Sequence, residues 1–474
     1  MDIPPDVLHR FPLLDLAAYE RLRRLEEHPA APRYTHRGVD RLTPAGIQRV
    51  AAFDAALSAE PRGWRPGETP GWVMDFAAEC FRDVPAYRAF GPLPPALADI
   101  PTTSRADLSR APWEFVPDSL PLDGLTVFQT SGATGHPLDI LTHPETLAYY
   151  LPLLRAAVAL HGVTLGSSTV ETPRWGVSGL TSRSDTSPSG VAAELGVALA
   201  VVCYQATTFT YAAVSTYLQH AGLVKLNLNP ADWRDPADRT AFLDACRPTV
   251  YSGDPVALAE LAALPLTARP AAILSTSMAL LPGLRRQLEI RFNCPVIDIY
   301  SLNESGPVAA SEPHGDALAL LSHRLFVEIL DADGAPVPPG QRGEVTLTGG
   351  FNPFLPLLRY RTGDWSSLDL SDPRQTRLRG LEGRPPVLFQ STAGLPINNI
   401  DVTAALKPFA LPQFALHQAA DGALTLRLPA PLPETAEVLA ALRRLFGEDQ
   451  PITLQPFDPA AAGKLLQYSR DTVE

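Results

Sequence analysis

The amino-acid sequence predicts an α/β protein with a large N-terminal region, built of α/β sheets and a β-rich part, and a small α+β C-terminal lobe. The chain has 474 residues, of which 45% are hydrophobic, so it can bury several cores. From about residue 120 onward, apolar strands alternate with amphipathic helices, as in α/β folds. The last part of the chain has strands and a helix of its own. We therefore place one domain at residues 1–383 and the lobe at residues 384–474.

Helices are predicted for most of residues 1–118. Apolar residues recur at spacings of three and four within Leu13–Leu22, which is the period of an amphipathic helix. Thr43 followed by Pro44 is typical of a helix start, because threonine caps free N–H groups and proline fits the first turn. A further helix is predicted through Phe76–Phe81. This region forms an entry segment in front of the α/β part.

Strands and helices alternate from there to about residue 300. Buried strands are expected where short apolar runs lie between turn-forming residues, and helices where the hydrophobic period is near 3.6. The predicted strands are Leu125–Gln129, Ala198–Tyr204 and Val296–Tyr300, and the predicted helices are Glu145–Val163 and one that includes Arg239–Cys246.

Antiparallel strands are predicted after residue 320. Arg324–Leu330 and Gly343–Thr348 alternate with a period of two on either side of Asp333-Gly334, a turn-forming pair. In the C-terminal lobe the predicted strands are Phe414–His417, Leu424–Arg427 and Ile452–Leu454, and the predicted helix is Pro433–Phe446.

The composition argues against several classes of function. A formal charge of −12 disfavours a general nucleic-acid-binding protein, which needs a basic surface. No run of about 18 apolar residues is free of charges and turn formers, so no membrane span is predicted, and no signal peptide is recognised. The four cysteines are far apart without a C-x-x-C pair, which indicates free thiols in a reducing compartment. We therefore expect a cytoplasmic protein that binds neither nucleic acid nor membrane.

The strongest local motif is Thr130–Pro137, directly after the strand at Leu125–Gln129. Its two glycines and three hydroxyl side chains can form a tight loop whose N–H and hydroxyl groups point at one anion, such as a triphosphate. It is not a Walker loop, because no Gly-Lys-Ser/Thr follows. An ordinary Gly/Thr turn would have a similar sequence.

Two further motifs hold acidic residues near the ends of strands. Glu304 lies in Asp298–Gly306, where a strand of an α/β sheet ends and ligands bind, and its carboxylate could hold Mg²⁺. In the same segment Tyr300 could stack on a base. Asp364 ends a polar strand in Leu358–Asp364 and could accept hydrogen bonds from ribose hydroxyl groups. Taken alone, Glu304 could equally be a solvated residue, and Asp364 the cap of a surface turn.

Two basic residues in the C-terminal part, Arg384 and Lys464, each follow a glycine. A lysine in a short flexible segment can enter a site as a compact point charge. A single lysine near a terminus is, however, most often solvated surface. Lysine is rare beside the 36 arginines of this chain, and the three that occur are Lys225, Lys407 and Lys464.

In this order and at these separations, the five motifs resemble the adenylate-forming superfamily of acyl-CoA synthetases, adenylation domains and luciferases. They correspond to its phosphate loop, its Y-G-x-T-E and Y-R-T-G-D segments, its hinge G-R and its C-terminal catalytic lysine. The resemblance covers about residues 80–474. Three segments resemble the phenylacetate-CoA ligase branch in particular: Asp83–Arg88, Ile100–Leu108 and Phe354–Asp364.

The resemblance implies an AMP-forming acid–thiol ligase. Such an enzyme uses ATP and Mg²⁺ to make an acyl-adenylate and pyrophosphate, and then forms a CoA thioester while the small lobe moves about the hinge. Lys464 and Glu304 would be catalytic, and Glu304 would bind Mg²⁺. Tyr300 would flank the adenine and Asp364 would hold the ribose. The full set of implied ATP-binding residues is Thr130, Ser131, Gly132, Thr134, Gly135, Tyr300, Ser301, Asn303, Glu304, Asp364 and Arg384.

The resemblance also implies where the acid substrate binds. Trp175 suggests an aromatic or modest-sized acid, although a tryptophan can also be a core residue. The implied acid-binding residues are Trp175, Gly176, Ser178, Asp254 and Ser277.

Several residues depart from the superfamily pattern. His136 stands where lysine is common in the phosphate loop, and Asn303 where threonine or serine is usual. Pro385 and Pro386 follow the hinge arginine and restrict the backbone there. The acceptor could therefore be CoA, an amine or a carrier-protein thiol, and a non-catalytic nucleotide-binding protein is a third alternative. Because superfamily members are often dimers, a homodimer is a further expectation.

Overall fold

The computed structural model describes residues 2–129, 138–166, 195–205, 208–383, 387–406, 408–411, 414–428, 434–457 and 466–471. Several predicted site residues lie outside this part of the chain. They are those of the phosphate loop, Thr130, Ser131, Gly132, Thr134 and Gly135, together with Trp175, Gly176, Ser178, Arg384 and Lys464.

Helices make up most of the regular structure before residue 118. The predicted helix start at Thr43 is confirmed: its side chain accepts a hydrogen bond from the backbone N–H of Gly46 at 3.0 Å, and Pro44 is the first helical residue. The helices are α1 (Pro5–Arg10), α2 (Leu16–Glu26), α3 (Pro44–Ala59), α4 (Gly71–Asp83), α5 (Pro85–Arg88) and α6 (Arg105–Arg110), with a two-residue strand β1 (Thr103–Ser104) and 3₁₀ turns at Leu97–Asp99 and Pro112–Phe115.

A short antiparallel pair and two helices come next. The pair is β2 (Thr126–Gln129) and β3 (Asp139–Thr142), followed by α7 (Pro144–Ala148) and α8 (Tyr150–Ala159). The prediction of one continuous helix over Glu145–Val163 is therefore wrong. Pro152 supplies the physical reason, because it has no N–H to donate to the carbonyl of Ala148 and so interrupts the helical hydrogen bonds.

A large mixed sheet forms the rest of the N-terminal region. Its strands after β1 are β4 (Val197–Cys203), β5 (Tyr211–Ser215), β6 (Ala221–Asn227), β7 (Val250–Gly253), β8 (Ala272–Ser275), β9 (Val296–Leu302), β10 (Gly306–Ser311), β11 (Leu318–Leu320), β12 (Leu325–Leu330), β13 (Gly343–Gly349), β14 (Leu357–Asp369) and β15 (Arg377–Gly383). The helices between them are α9 (Asp238–Cys246), α10 (Pro255–Ala263) and α11 (Pro282–Phe292), with a 3₁₀ turn at Pro230–Asp232.

Strand β9 is the boundary between two kinds of pairing in this sheet. The order is β12-β13-β14-β15-β11-β10-β9-β8-β7-β4-β6-β5, with β1 paired to β14. From β9 through β8, β7 and β4 to β6 the neighbours are parallel. From β9 through β10 to β12 they are antiparallel. The α/β part and the β-rich part predicted from the sequence are thus two halves of one sheet.

Helices cover both faces of the parallel half. Successive side chains of β9 point to opposite faces, so Ile297 packs with Leu153 of α8 while Val296 packs with Leu288 of α11. The antiparallel half has a core of its own, to which α4 contributes Val73. All four cysteines are free thiols, as the sequence predicts.

The C-terminal residues form a second sheet with the order β20-β19-β18-β21. Its core includes Phe389, Leu416 and Val438, and also Leu281, the residue directly before α11. The division of the chain at residue 383 and the mobility of the lobe stay predictions. The elements are β16 (Leu388–Gln390), β17 (Pro396–Asn398), α12 (Asn399–Leu406), β18 (Ala415–Gln418), β19 (Leu424–Leu428), α13 (Thr435–Phe446), β20 (Ile452–Pro456) and β21 (Tyr468–Arg470).

Arg359 of β14 is a cation in the interior of the antiparallel half. Its side chain is only 2% exposed, and its Nε donates to Glu328 at 3.2 Å. Its Nη1 also donates to the backbone carbonyls of Ala98 and Ile100, at 2.8 and 2.7 Å. Burial raises the pKa of Glu328 although Arg359 opposes this shift. The arginine therefore joins the segment before β1 to the sheet and also neutralises a buried carboxylate.

Replacing Arg359 by leucine should destabilise the fold strongly, because Glu328 would remain as a buried charge without a partner. We expect the free energy of unfolding in urea to fall by about 3–5 kcal/mol. The double variant Arg359→Leu/Glu328→Leu should lose less than the single variant. Arg110→Leu, which removes an exposed ion pair with Asp107, is the control and should cost about 1 kcal/mol or less. Equal losses in the double and single variants would contradict the argument.

Candidate active site

Glu304 lies at the tip of the hairpin that joins β9 to β10, and only 5% of the residue is exposed. The hairpin closes through Gly306, whose φ is +69°. A Cβ atom there would lie 2.4 Å from the ring of Phe351, so only glycine fits. The backbone thus places a carboxylate inside the protein, directly after the central strand of the sheet.

Two donors from distant segments hold one oxygen of this carboxylate. Glu304 Oε1 accepts hydrogen bonds from Arg105 Nη1 at 2.8 Å and from Tyr360 Oη at 2.9 Å. The other oxygen, Oε2, makes no hydrogen bond to the described residues. Burial raises the pKa of Tyr360 far above its usual value, so the phenol stays protonated and donates. One oxygen is therefore fixed in place while the other can take a ligand.

The position of Arg105 follows from the pairing of β1 with β14. Thr103 lies opposite Tyr360 in this parallel pair, and α6 begins two residues later at Arg105. A capping box between Ser104 and Asp107 fixes the start of α6. The same short strand therefore sets both donors to Glu304 in register.

Asp364 contacts Tyr300 of β9, the strand that precedes Glu304. The Tyr300 hydroxyl donates to Asp364 Oδ2 at 2.7 Å. Burial raises the pKa of Tyr300 well above its usual value, so this phenol also remains a donor. The interpretation of Asp364 as a strand end or surface turn is wrong, because it lies within β14.

A bulge in β14 explains the position of Asp364. Arg361 lies opposite Thr346, but Trp365 lies opposite Glu344, so three residues of β14 face one residue of β13. Gly363, with a φ of +78°, makes this bulge possible, and its N–H donates to the Glu344 carboxylate at 3.0 Å. Bulges turn side chains in new directions, and here the result is the contact with Tyr300.

The parallel strands contribute two predicted acid-binding residues to the same edge of the sheet. Asp254 directly follows β7 and caps α10 by accepting a hydrogen bond from the N–H of Ala257 at 2.9 Å. Burial raises the pKa of Asp254. Ser277 follows β8, is exposed and has a φ of +71°. Because parallel strands end at one edge, these two residues and the Glu304 hairpin follow neighbouring strands on one side.

Two more predicted residues belong to the Glu304 hairpin. Ser301 is half-buried and pairs with Pro307 of β10, and Asn303 is exposed at the tip. Neither Arg105 nor Tyr360 is predicted as a site residue from the sequence, although both lie in segments that resemble the phenylacetate-CoA ligase branch. Their spacing from Glu304, 199 and 56 positions, leaves no local pattern that could have linked them.

No family profile matches the chain. Among curated proteins, phenylacetate-coenzyme A ligase of Pseudomonas putida is 37% identical over 89 residues, which cover 18% of this chain and 20% of that protein. The ligase of the same name from Aromatoleum evansii is 28% identical over 146 residues, 30% of this chain and 33% of that protein. The chain thus matches at most about a third of the length of these relatives.

A solved structure extends the similarity over most of the chain. It is the crystal structure of 2-hydroxyisobutyryl-CoA ligase in complex with R3-HIB-AMP, with a TM-score of 0.59, 17% identity, and coverage of 85% of this chain and 88% of that one. The chain thus shares the fold of this ligase over most of its length, and up to 30% of its residues align with phenylacetate-coenzyme A ligases.

The residues around Glu304 suit one hard cation held together with a substrate. In the described segments, no three His, Cys, Asp or Glu side chains come together as a metal site. Mg²⁺ is often held by one or two carboxylates and the phosphates of a nucleotide, and the second oxygen of Glu304 fits that role. The described helices include none that is long and apolar enough to cross a membrane.

Asp298 is an ionisable residue that the predicted site does not use. It lies on β9 opposite Ser275 of β8, whose hydroxyl is buried without a hydrogen-bond partner among the described residues. Burial raises the pKa of the Asp298 carboxyl to about 7, and the charge of Arg285 lowers it only in part. Folding therefore favours the protonated form of Asp298.

This pKa shift predicts that stability falls as the pH rises. Asp298 makes its full contribution to the free energy of unfolding below about pH 4, where its side chain is protonated in both the folded and the unfolded chain. This contribution is lost as the pH rises from about 4 through the folded-state pKa of about 7. Asp298→Asn should therefore be up to about 4 kcal/mol more stable than the wild type at pH 8, with a much smaller difference at pH 4. Urea unfolding across this range measures it. The exposed Asp123→Asn is the control, and a difference independent of pH would contradict the prediction.

Proposed function

We propose that this protein is an ATP-dependent carboxylic acid ligase that forms an acyl-adenylate. The observation that supports this most directly is the buried Glu304 carboxylate, with one oxygen fixed by Arg105 and Tyr360 and the other available. In the first step an oxygen of the acid attacks the α-phosphorus of ATP, and the bond to pyrophosphate breaks. In the second step a thiolate attacks the acyl carbon, and AMP leaves.

Glu304 would hold Mg²⁺ through its available oxygen, and the cation would offset the negative charge on the phosphates. Arg105, whose side chain is one-third exposed, lies on the same carboxylate and adds a second positive charge beside the nucleotide. Positioned charges of this kind account for most of the catalysis of phosphoryl transfer. Arg105 thus joins the residues proposed for the first step.

Asp364 would accept hydrogen bonds from the ribose hydroxyl groups. Its Oδ2 already accepts from Tyr300, which holds the carboxylate in one orientation. A tyrosine that is 8% exposed has little free face, so we propose that Tyr300 acts mainly by orienting Asp364 and contacts the adenine with its edge. The phosphate loop Thr130–Pro137, Arg384 and Lys464 complete the proposed site.

The substrate class is proposed from one residue of the chain and from its sequence relatives. Trp175 favours an aromatic acid, and the relatives named above are ligases of phenylacetate and coenzyme A. We therefore propose an aromatic or modest-sized acid, with CoA as the acceptor. Asp254, a helix cap at the strand edge, and Ser277 are proposed to border the acid.

A panel of aromatic and short aliphatic acids, assayed for pyrophosphate release with and without CoA, tests the proposal. We expect release with ATP and at least one acid, and a thioester when CoA is present. Pyrophosphate release without formation of a CoA thioester would indicate that the acceptor is an amine or a carrier-protein thiol. No release with any acid would contradict the ligase and favour a nucleotide-binding protein without this activity.

Lys464 should be needed for adenylation, because a compact ammonium would bridge the acid and the nucleotide. Lys464→Ala should lower the rate of acyl-adenylate formation by about a hundredfold or more, while ATP affinity changes little. Lys407→Ala, a substitution in the same C-terminal part at a position without a motif, is the matched control. Pyrophosphate exchange and equilibrium ATP binding measure the two effects. Equal exchange rates in both variants would contradict the role of Lys464.

A further inference from the structure

A cavity of 980 Å³ shares no residue with the site of Glu304 and Asp364. It lies where the segment between α3 and α4 meets the β11–β12 and β14–β15 connections. Its volume is at the upper end of the range usual for small-molecule sites, about 300–1,000 Å³. The residues that bear on its chemistry are Arg62, Arg65, Arg324, Arg374, Trp64 and Trp72.

The four arginines of the cavity form no ion pair with a carboxylate of the described residues. Arginines elsewhere on this protein are commonly paired, for example Arg49 with Glu145 at 2.6 Å. Two carboxylates, those of Glu60 and Glu68, also line the cavity. The Glu68 carboxylate accepts a hydrogen bond from the backbone N–H of Arg65. The cavity therefore has a net positive charge in a protein whose formal charge is −12.

Backbone contacts hold the arginines near one another. The N–H of Arg62 donates to the carbonyl of Arg374 at 2.9 Å, and the N–H of Thr376 donates to the carbonyl of Arg62 at 3.1 Å. A Cβ atom on Gly63 would lie 2.4 Å from the backbone nitrogen of Gln375, so the two segments approach this closely only because residue 63 is glycine. The fold thus places the backbones of Arg62 and Arg374 side by side in the wall of the cavity.

Aromatic and imidazole groups complete the wall. The guanidinium of Arg324 lies 5.4 Å from the ring centroid of Trp72, which limits the orientations of this side chain. His323 Nδ1 is buried and has no hydrogen-bond partner in the part of the chain that the structure describes. Burial lowers the pKa of His323, and the charges of Arg324 and Arg62 lower it further while Glu60 opposes them. A neutral imidazole and positioned guanidinium groups together offer donors to an anion.

We infer that this cavity binds a phosphate-bearing small molecule through Arg62, Arg324 and Arg374. Guanidinium groups bind phosphate oxygens in a bidentate manner, and several converging groups suit a ligand with more than one phosphate. The phosphates could belong to a nucleotide or to free pyrophosphate, since both present the same oxygens. This inference does not depend on the proposed ligase activity, because the residues that line the cavity are different from those of the proposed active site.

Calorimetric titration with adenosine 3′,5′-bisphosphate and, separately, with pyrophosphate tests the inference. The titrations use the Asp364→Asn protein, so that the proposed nucleotide site is weakened. We expect at least one probe to bind, and the double variant Arg324→Ala/Arg374→Ala in that background to bind it about ten- to a hundredfold more weakly. Arg286→Ala removes an exposed arginine of α11 and is the matched control, with unchanged affinity.

The relative affinities identify the source of the phosphate. If the bisphosphate binds more tightly than pyrophosphate, the ligand is a nucleotide. If pyrophosphate binds as tightly as the bisphosphate or more tightly, the ligand is a free phosphate compound. Both results support the phosphate site. Arg374→Lys, which keeps the charge but loses the planar fork, should give an intermediate affinity and guards against a folding defect in the double variant. Failure of both probes to bind, or equal affinities in the double variant and Arg286→Ala, would overturn the inference.

Discussion

The burial of Glu304 is the constraint on which the surrounding structure depends. A carboxylate that is 5% exposed is costly unless it is paired, and the loss of one partner of a buried pair typically costs about 3–5 kcal/mol. Here the partners come from α6 and β14, which are far apart in the chain. The pairing of β1 with β14, the cap of α6 and the glycine that closes the hairpin all serve to bring them together. The folded state therefore fixes the proposed active-site carboxylate before any substrate binds.

Local patterns made much of this architecture predictable. The alternation of apolar strands and helices indicated the α/β sheet, and Thr43 with Pro44 marked the start of α3 because capping depends on neighbouring residues alone. Glu304 could be singled out because it follows a strand, and sheets of this kind bind ligands at that edge. The features that could be predicted from the sequence are those that depend on a few consecutive residues.

The features that the sequence did not reveal depend on distant contacts. Arg359 is one of 36 arginines and nothing near it in sequence marks it as buried, because its partners are Glu328 and the carbonyls before β1. Arg105 is recognisable as important only after α6 is seen beside Glu304. The bulge at Gly363 depends on the register between β13 and β14, which a glycine alone does not define. Contacts and strand registers between distant parts of the chain were therefore the features that the sequence could not predict.

The contact between α11 and the C-terminal sheet has an energetic consequence for the proposed reaction. A Cβ atom on Gly283 would lie 2.3 Å from the carbonyl oxygen of Phe409, and Leu281, 3% exposed, packs in the core of that sheet. Full exposure of such a leucine costs about 1.5–3 kcal/mol. A lobe that rotated between the two half-reactions would separate these surfaces and expose Leu281 to water. The equilibrium between lobe orientations would then depend on ligand binding, whose free energy must offset the cost of exposing the Leu281 side chain to water.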